Sequence, residues 1–130
     1  MEFCTAATRT AKRGPDNYFT GEVWLEPLAQ TPLMDVQMVR VSFSPGARTA
    51  WHTHPGGQIL YVSSGRGLIQ KEGEPVRAIS AGDTVVIAAG EKHWHGAAPD
   101  CAMQHLAVQP LIGGSGADWL ELVTDDDYGG

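Results

Sequence analysis

Glycine and proline break this chain at short intervals. There are 16 glycines and 8 prolines among 130 residues, and the runs between them are rich in valine, isoleucine, tyrosine, tryptophan and threonine. Many short β-prone runs separated by turn residues are typical of an all-β sandwich or barrel. No long segment has the helical period, so we expect a single all-β domain over residues 1–130. The expected strands cover residues 22–26, 36–43, 47–52, 58–64, 67–71, 76–79, 83–88, 92–96 and 102–109.

One segment shows the strand pattern plainly. In "VQMVRVSF", Val39, Val41 and Phe43 fall on one face, and positions 38, 40 and 42 fall on the other. The apolar face is expected to point inward. At the other end of the chain, residues 118–128 predict an extended piece followed by a helical turn, with Thr124 as its N-cap.

The net charge of −6 provides no electrostatic footprint for nucleic acid. The sequence shows no secretory apolar region and no apolar run near the length of a membrane span. These features predict no nucleic-acid partner, no membrane association and a cytoplasmic location.

Four of the five histidines form two pairs with one residue between the partners. His52 and His54 are one pair, and His93 and His95 are the other. Residues two apart on a strand point to the same side, so each pair could present two imidazoles to one ion. Gln58 opens the next strand, and its side-chain oxygen could be a third ligand. On the residues alone, a metal site and a set of hydrogen-bonded core histidines both remain open.

The histidine pairs lie in two longer motifs. Gly46–Gly65 reads G-x5-H-x-H-x3-Q-x6-G, and Gly82–His93 reads G-x7-G-x2-H. These motifs resemble those of the cupin superfamily, with Gln58 in place of the family's glutamate, and with Ala88 and Ala97 in place of its proline and asparagine. The resemblance implies a double-stranded β-helix (cupin) barrel with a core at 36–110, an N-terminal arm at 1–20 and a C-terminal segment at 117–130. It also implies one divalent metal ion held by His52, His54, Gln58 and His93.

A closer resemblance covers nearly the whole chain. The segments "KRGPDNYFTGEVWLEPL", "FSPGARTAWHTHPGGQ", "GEKHWHGAAP", "MQHLAVQ" and "ADWLELVTDDDY" are similar to the small bacterial manganese-dependent hydroxynitrile lyases. This similarity implies a homodimer or higher homo-oligomer that reversibly cleaves a small-molecule cyanohydrin to an aldehyde and hydrogen cyanide. Manganese is the implied metal, with iron, nickel, cobalt and zinc open, because mixed imidazole and oxygen ligands suit all of them.

The same resemblance assigns the pocket. His95 is implied as the general base, with Thr49, His105 and Gln109 as further catalytic positions, and we expect Val39, Val41 and Phe43 to form an apolar wall. The chain departs from the group at Gly56, where a bulky residue is usual, and at Val39, where a small one is usual. We expect both departures to reshape the pocket.

Two alternatives to the lyase remain open. One is another metal-dependent cupin enzyme, such as a dioxygenase or an isomerase of a sugar or a ring-opened acid. The other is a cupin that binds a small ligand without catalysis. Two further residues are given plainer roles: Arg48 in a surface salt bridge, and Trp119 in core or dimer packing.

Overall fold

The structure is a computed structural model that describes residues 1–130. Twelve strands, one 3-10 turn at Ala6–Thr8 and one short helix make up the chain. No helix has the length and apolar character to span a membrane. The strands are β1 Lys12–Arg13, β2 Phe19–Thr20, β3 Val23–Thr31, β4 Met34–Phe43, β5 Arg48–Thr49, β6 His52–Thr53, β7 Gln58–Lys71, β8 Arg77–Ser80, β9 Thr84–Ile87, β10 His93–Ala97, β11 Met103–Pro110 and β12 Asp118–Trp119, and the helix is α1 Asp125–Gly129.

The strands curl into two facing layers that share β7. The first half of β7 pairs with β11 and β9, and β4, β3 and β1 continue this layer beyond β11. The second half of β7 pairs with β10 and β8 in the other layer. The expected all-β barrel is therefore confirmed.

The sequence predicts two strands at 58–64 and 67–71, whereas the structure has one strand of 14 residues. Gly65 marks the change of layer: it is the last residue of β7 paired with β11, and Arg66 is the first paired with β8. The φ of Gly65 is 78°, and a Cβ there would lie 1.9 Å from the Ala102 carbonyl oxygen. Glycine lets the strand bend at this close approach without ending.

Three other boundaries differ from expectation. β3 continues past the expected end at 26 to Thr31, with a register shift at Pro27 that accommodates the missing N–H. The strand expected at 47–52 is interrupted, giving β5 and β6. The N-terminal arm contributes two short strands that were not expected. The C-terminal helical turn is confirmed, because Thr124 Oγ1 accepts a hydrogen bond from the Asp127 N–H at 3.0 Å.

Side chains along the inward face of β11 change from apolar to polar. Met103 belongs to the main apolar core, whereas His105, Ala107 and Gln109 line a cavity. The polar end of this face therefore marks the open end of the barrel. The main core contains Phe19, Val23, Val41, Phe43, Ala47, Val62, Ile79, Ala97 and Met103.

Arg48 is buried, which corrects the expected surface role. Its Nε and Nη2 donate to the Val123 carbonyl oxygen at 3.3 and 2.9 Å, and Nη2 also reaches Asp125 at 2.7 Å. The guanidinium stacks on the Tyr128 ring at 4.6 Å. Arg48 therefore fastens the C-terminal segment to the barrel.

Candidate metal centre and pocket

The two histidine pairs come from neighbouring strands. His52 begins β6 and His93 begins β10, and these two residues face each other in the antiparallel register. His54 follows β6 directly, and His95 lies two residues into β10. All four side chains are buried. The fold therefore brings together two pairs whose first members, His52 and His93, are 41 positions apart in the sequence.

Backbone carbonyl groups orient three of the imidazoles. A carbonyl oxygen can only accept, so each Nδ1 carries the hydrogen and each Nε2 keeps its lone pair. This arrangement is the usual support for a metal-binding histidine. The three bonds join His52 Nδ1 to Ala50 O at 2.9 Å, His54 Nδ1 to Gly116 O at 2.7 Å and His93 Nδ1 to Glu91 O at 2.8 Å.

Gln58 adds an oxygen donor. Its Nε2 donates to Gln109 Oε1 at 3.0 Å, so its own Oε1 is free. The Nε2 atoms of His54 and His93 and the Oε1 of Gln58 are buried without a hydrogen-bond partner. Buried polar atoms in proteins are almost always satisfied. These residues therefore fit a divalent ion, which would satisfy the unpartnered atoms.

His95 also lies close to this centre. Ligand nitrogens of His52, His93 and His95 lie within 4.8 Å of one another and could hold a metal ion by themselves. This triad differs from the ligand set implied by the resemblance, which has His54 and Gln58 instead of His95. A backbone carbonyl fixes Nδ1 of His54, as it does for His52 and His93, whereas the ring of His95 is held by another imidazole.

That second imidazole belongs to His105. Its Nε2 lies 3.1 Å from His95 Nδ1, and the outer nitrogens, His95 Nε2 and His105 Nδ1, have no partner. Thr49 Oγ1 accepts a hydrogen bond from the His95 backbone N–H at 3.2 Å. The Phe43 ring packs against both imidazoles, T-shaped with His95 and tilted with His105. The His95 ring therefore packs against His105 and Phe43, its backbone is held by Thr49, and its Nε2 has no hydrogen-bond partner.

Burial keeps the histidines neutral. It lowers the pKa of His93 to about 4 and of His105 to about 3. The pKa values of His52 and His95 also lie well below the usual 6.5, first because of burial and then because His93 and His105, respectively, stand beside them. Neutral imidazole is the form that binds a metal or accepts a proton.

A cavity of about 340 Å³ opens beside these groups. Val39 and Val41 line it, whereas Phe43 lies beneath it in the core. Gly56 does not line it, which corrects the expectation that this glycine reshapes the pocket. A Cβ on Gly56 would lie 2.8 Å from Pro110 in a separate surface groove. The lining residues are Phe19, Leu25, Gln37, Val39, Val41, Thr49, His52, His54, Gln58, His95, His105, Ala107, Gln109, Gly116, Ala117 and Trp119.

Trp119 is a pocket residue that the sequence did not reveal. Its ring packs on His52 with centroids 4.7 Å apart, and on Tyr18 at 4.8 Å with nearly parallel planes. Phe19 completes this aromatic wall. The pairing of β12 with β6 places Trp119 opposite His52. Only that long-range pairing distinguishes Trp119 from the other three tryptophans.

The family follows from comparison with known proteins. The model of the Cupin domain family matches residues 39–108, which include every histidine described above. The chain belongs to the cupin family. This cupin is 50% identical over 131 residues to an (R)-mandelonitrile lyase of Granulicella tundricola, with 98% of each chain covered.

Solved structures agree with this assignment. A cupin-like protein from Thermotoga maritima superposes with a TM-score of 0.86 at 42% identity, over 89% of each chain. The polyketide cyclase RemF from Streptomyces resistomycificus gives a TM-score of 0.76 at 18% identity, over 98% of this chain and 90% of the cyclase. The second likeness concerns the fold alone.

Proposed function

We propose that this cupin is a metal-dependent lyase of the hydroxynitrile type, which reversibly cleaves a cyanohydrin to an aldehyde and hydrogen cyanide. One observation carries the proposal. A neutral imidazole with an unpartnered Nε2, that of His95, lies in a cavity beside unpartnered metal-ligand atoms. The (R)-mandelonitrile lyase that matches 98% of this chain supports this reaction class.

We propose manganese as the metal, held by Nε2 of His52, His54 and His93 and by Oε1 of Gln58. All four donors are neutral, so a bound divalent ion keeps its full charge. Such an ion supplies a Lewis acid that polarises a heteroatom of the substrate. The remaining chemistry falls to the side chains of the pocket.

His95 moves the proton. Its neutral Nε2 takes the hydroxyl proton of the cyanohydrin while the bond between the carbinol carbon and the nitrile carbon breaks. The electron pair of that bond leaves with cyanide, which then takes the proton from His95. His105 Nε2 accepts from His95 Nδ1 and so stabilises the imidazolium formed in between. Atoms and charge balance, and the reverse sequence forms the cyanohydrin.

The other pocket residues orient these groups and the substrate. Thr49 holds the backbone of His95, and Gln109 holds the amide of Gln58, so both are positioning residues in this scheme. Val39, Val41 and Leu25 provide an apolar wall for the alkyl or aryl group of the substrate.

Mandelonitrile cleavage tests the proposal. Protein reconstituted with Mn²⁺ is mixed with mandelonitrile, and benzaldehyde release is followed by absorbance, with metal-free protein as the control. His95→Gln should retain bound manganese but lose about 10²–10⁴ in kcat, the usual contribution of a general base. His54→Ala should lose the metal as well.

Three results would count against parts of this proposal. Wild-type protein that binds manganese but releases no benzaldehyde above the metal-free control from any aryl or alkyl cyanohydrin would refute it. Undiminished activity of His95→Gln would refute the role of the base. Oxygen consumption by iron-loaded protein, without cyanohydrin cleavage, would support the dioxygenase alternative.

A further inference from the structure

Four glutamines form one row across the first layer of the barrel. Gln37 on β4 faces Gln30 on β3 and Gln109 on β11 in the antiparallel registers. Gln58 begins β7, one position before the residue that pairs with Val108 of β11. Antiparallel pairing thus places the four side chains next to one another, from the exposed edge at Gln30 to the buried metal centre at Gln58.

The amides of this row are hydrogen-bonded in a single direction. Each Nε2 donates to the Oε1 of the next residue outward. The bonds run from Gln58 to Gln109 at 3.0 Å, from Gln109 to Gln37 at 2.7 Å and from Gln37 to Gln30 at 3.2 Å. The inner end of this amide row is the unpartnered Oε1 of Gln58, and the outer end is solvent-exposed Gln30.

We propose that Gln37 is a positioning residue for the metal centre: its Oε1, acting through Gln109, keeps the oxygen of Gln58 turned toward the ion. The inference rests on the metal site of the proposed function but concerns Gln37, whose hydrogen bonds go to Gln109 and Gln30 and to none of the candidate ligands. An amide side chain can bind a metal through oxygen and not through its NH₂ group. The orientation of Gln58 therefore decides whether it is a ligand.

The direction of the hydrogen bonds in the amide row determines which end of the Gln58 amide faces the ion. If Gln109 turned its Oε1 outward, its NH₂ group would face Gln58, and Gln58 would have to offer its own oxygen to Gln109. The NH₂ group of Gln58 would then face the ion. Gln37 prevents this because its Oε1 accepts from Gln109, whereas Gln30 at the exposed end can exchange its partner for water.

In the loop after β11, Gly116 lies against both Gln37 and the candidate ligand His54. Gly116 has no side chain, and a Cβ built on it would lie 2.9 Å from Gln37 Oε1. The carbonyl oxygen of the same residue accepts from His54 Nδ1. Close packing at this point limits the freedom of Gln37 to rotate away from Gln109.

Manganese affinity tests the inference. Aqueous Mn²⁺ is titrated into metal-free protein, and free ion is measured by its electron paramagnetic resonance signal, which gives Kd without any activity assay. Gln37→Met has the same chain length and removes the amide, so Kd should rise about 10–100-fold, as for other outer partners of metal ligands. Gln104→Met is the matched control: Gln104 lies on β11 and its Nε2 donates to Ser42, outside the row. It should leave Kd unchanged.

Two charged variants test the direction of the row. Gln37→Glu only accepts, so it should keep Gln109 donating and retain the wild-type Kd. Gln37→Lys only donates, so it should reverse Gln109 and weaken binding by at least tenfold. Both are measured at 0.1 M and 1 M salt, because the electrostatic effect of the added charge falls with salt whereas the direction of the hydrogen bonds does not. Thermal unfolding of the metal-free protein shows whether Gln37→Met folds. If it does not, the comparison of Gln37→Glu with Gln37→Lys still tests the role of Gln37.

The outcomes separate the two proposals. Wild-type protein that binds no Mn²⁺ would overturn the manganese site and with it the role of Gln37. Wild-type protein that binds Mn²⁺ while Gln37→Met and Gln37→Lys bind equally well would overturn the role of Gln37 alone. Equal weakening by Gln37→Glu and Gln37→Lys would also overturn it, because the direction of hydrogen bonding would then be irrelevant.

Discussion

Replacing Arg48 with methionine should loosen the whole C-terminal segment. The guanidinium is buried, with 6% of the side chain exposed, and two of its nitrogens donate to the Val123 carbonyl oxygen. It also supports the ring of Tyr128, whose hydroxyl donates to the Ala97 carbonyl oxygen at 2.6 Å. Methionine keeps most of the apolar stem of Arg48 and removes every polar contact of the guanidinium.

The expected loss in the free energy of unfolding is about 3 kcal/mol. The charged hydrogen bonds to the Val123 carbonyl contribute about 2 kcal/mol, since their removal leaves a buried acceptor unsatisfied. The contact with the Tyr128 ring adds about 1 kcal/mol. The Asp125 carboxylate is 95% exposed, so that ion pair adds only a few tenths, roughly, on the scale of surface pairs. For a chain of this length the loss corresponds to about 10 °C in Tm.

Calorimetry of the metal-free variant measures this loss, and hydrogen exchange locates it. Exchange should accelerate in residues 117–130 before the rest of the barrel. Arg66→Met is the matched control, because Arg66 pairs with Asp100 at the surface with 54% of its side chain exposed. It should cost at most about 0.5 kcal/mol. A loss below about 1 kcal/mol in Arg48→Met, or uniform exchange over the whole chain, would refute the reasoning.

Three further predictions concern acid, the aromatic wall and self-association. Burial lowers the pKa of His93 to about 4 and of His105 to about 3. Below pH 6.5 these two histidines therefore bind protons in the unfolded chain but stay neutral in the folded chain until the pH nears those values. Stability of metal-free protein should therefore fall as the pH drops from 6.5, by about 1.4 kcal/mol per pH unit for each group, whereas a flat denaturation profile from pH 6.5 to 4.5 would contradict this. Trp119→Leu should increase the KM for aryl cyanohydrins more than for alkyl ones, since it removes a stacking surface; equal changes would show that the ring is only structural. The homodimer stays a prediction that light scattering can check, and a monomer at micromolar concentration would exclude it.

Much of the fold could be predicted from local patterns. The alternation in β4 and the turn residues between strands indicate an all-β barrel. Both signals lie within short segments, so the sequence alone reveals them. The continuity of β7 could not be predicted in this way. Gly65 looks like a turn residue in sequence, but it serves as a bend that carries one strand from one layer to the other. Only the packing against Ala102 distinguishes these two uses of glycine.

The histidines of the candidate site were visible because their spacing repeats and fits a motif. Gln37 and Trp119 were not visible, because each acquires its role from a strand partner distant in the chain. Arg48 was misjudged for a related reason. An arginine in a turn-rich segment is normally exposed, and only the returning C-terminal segment buries this one.

The aromatic wall of the pocket comes from opposite ends of the chain. Tyr18 and Phe19 arrive from the arm and Trp119 from the C-terminal segment, whereas the candidate ligands stand on central strands. Substitutions in the two ends therefore change the pocket wall without replacing a candidate ligand, although Trp119 itself packs on His52. In evolutionary terms, such a division lets a lineage acquire new substrates while its inherited chemistry persists. For the engineer, exchanging both terminal segments between relatives as a matched pair offers a compact route to altered selectivity.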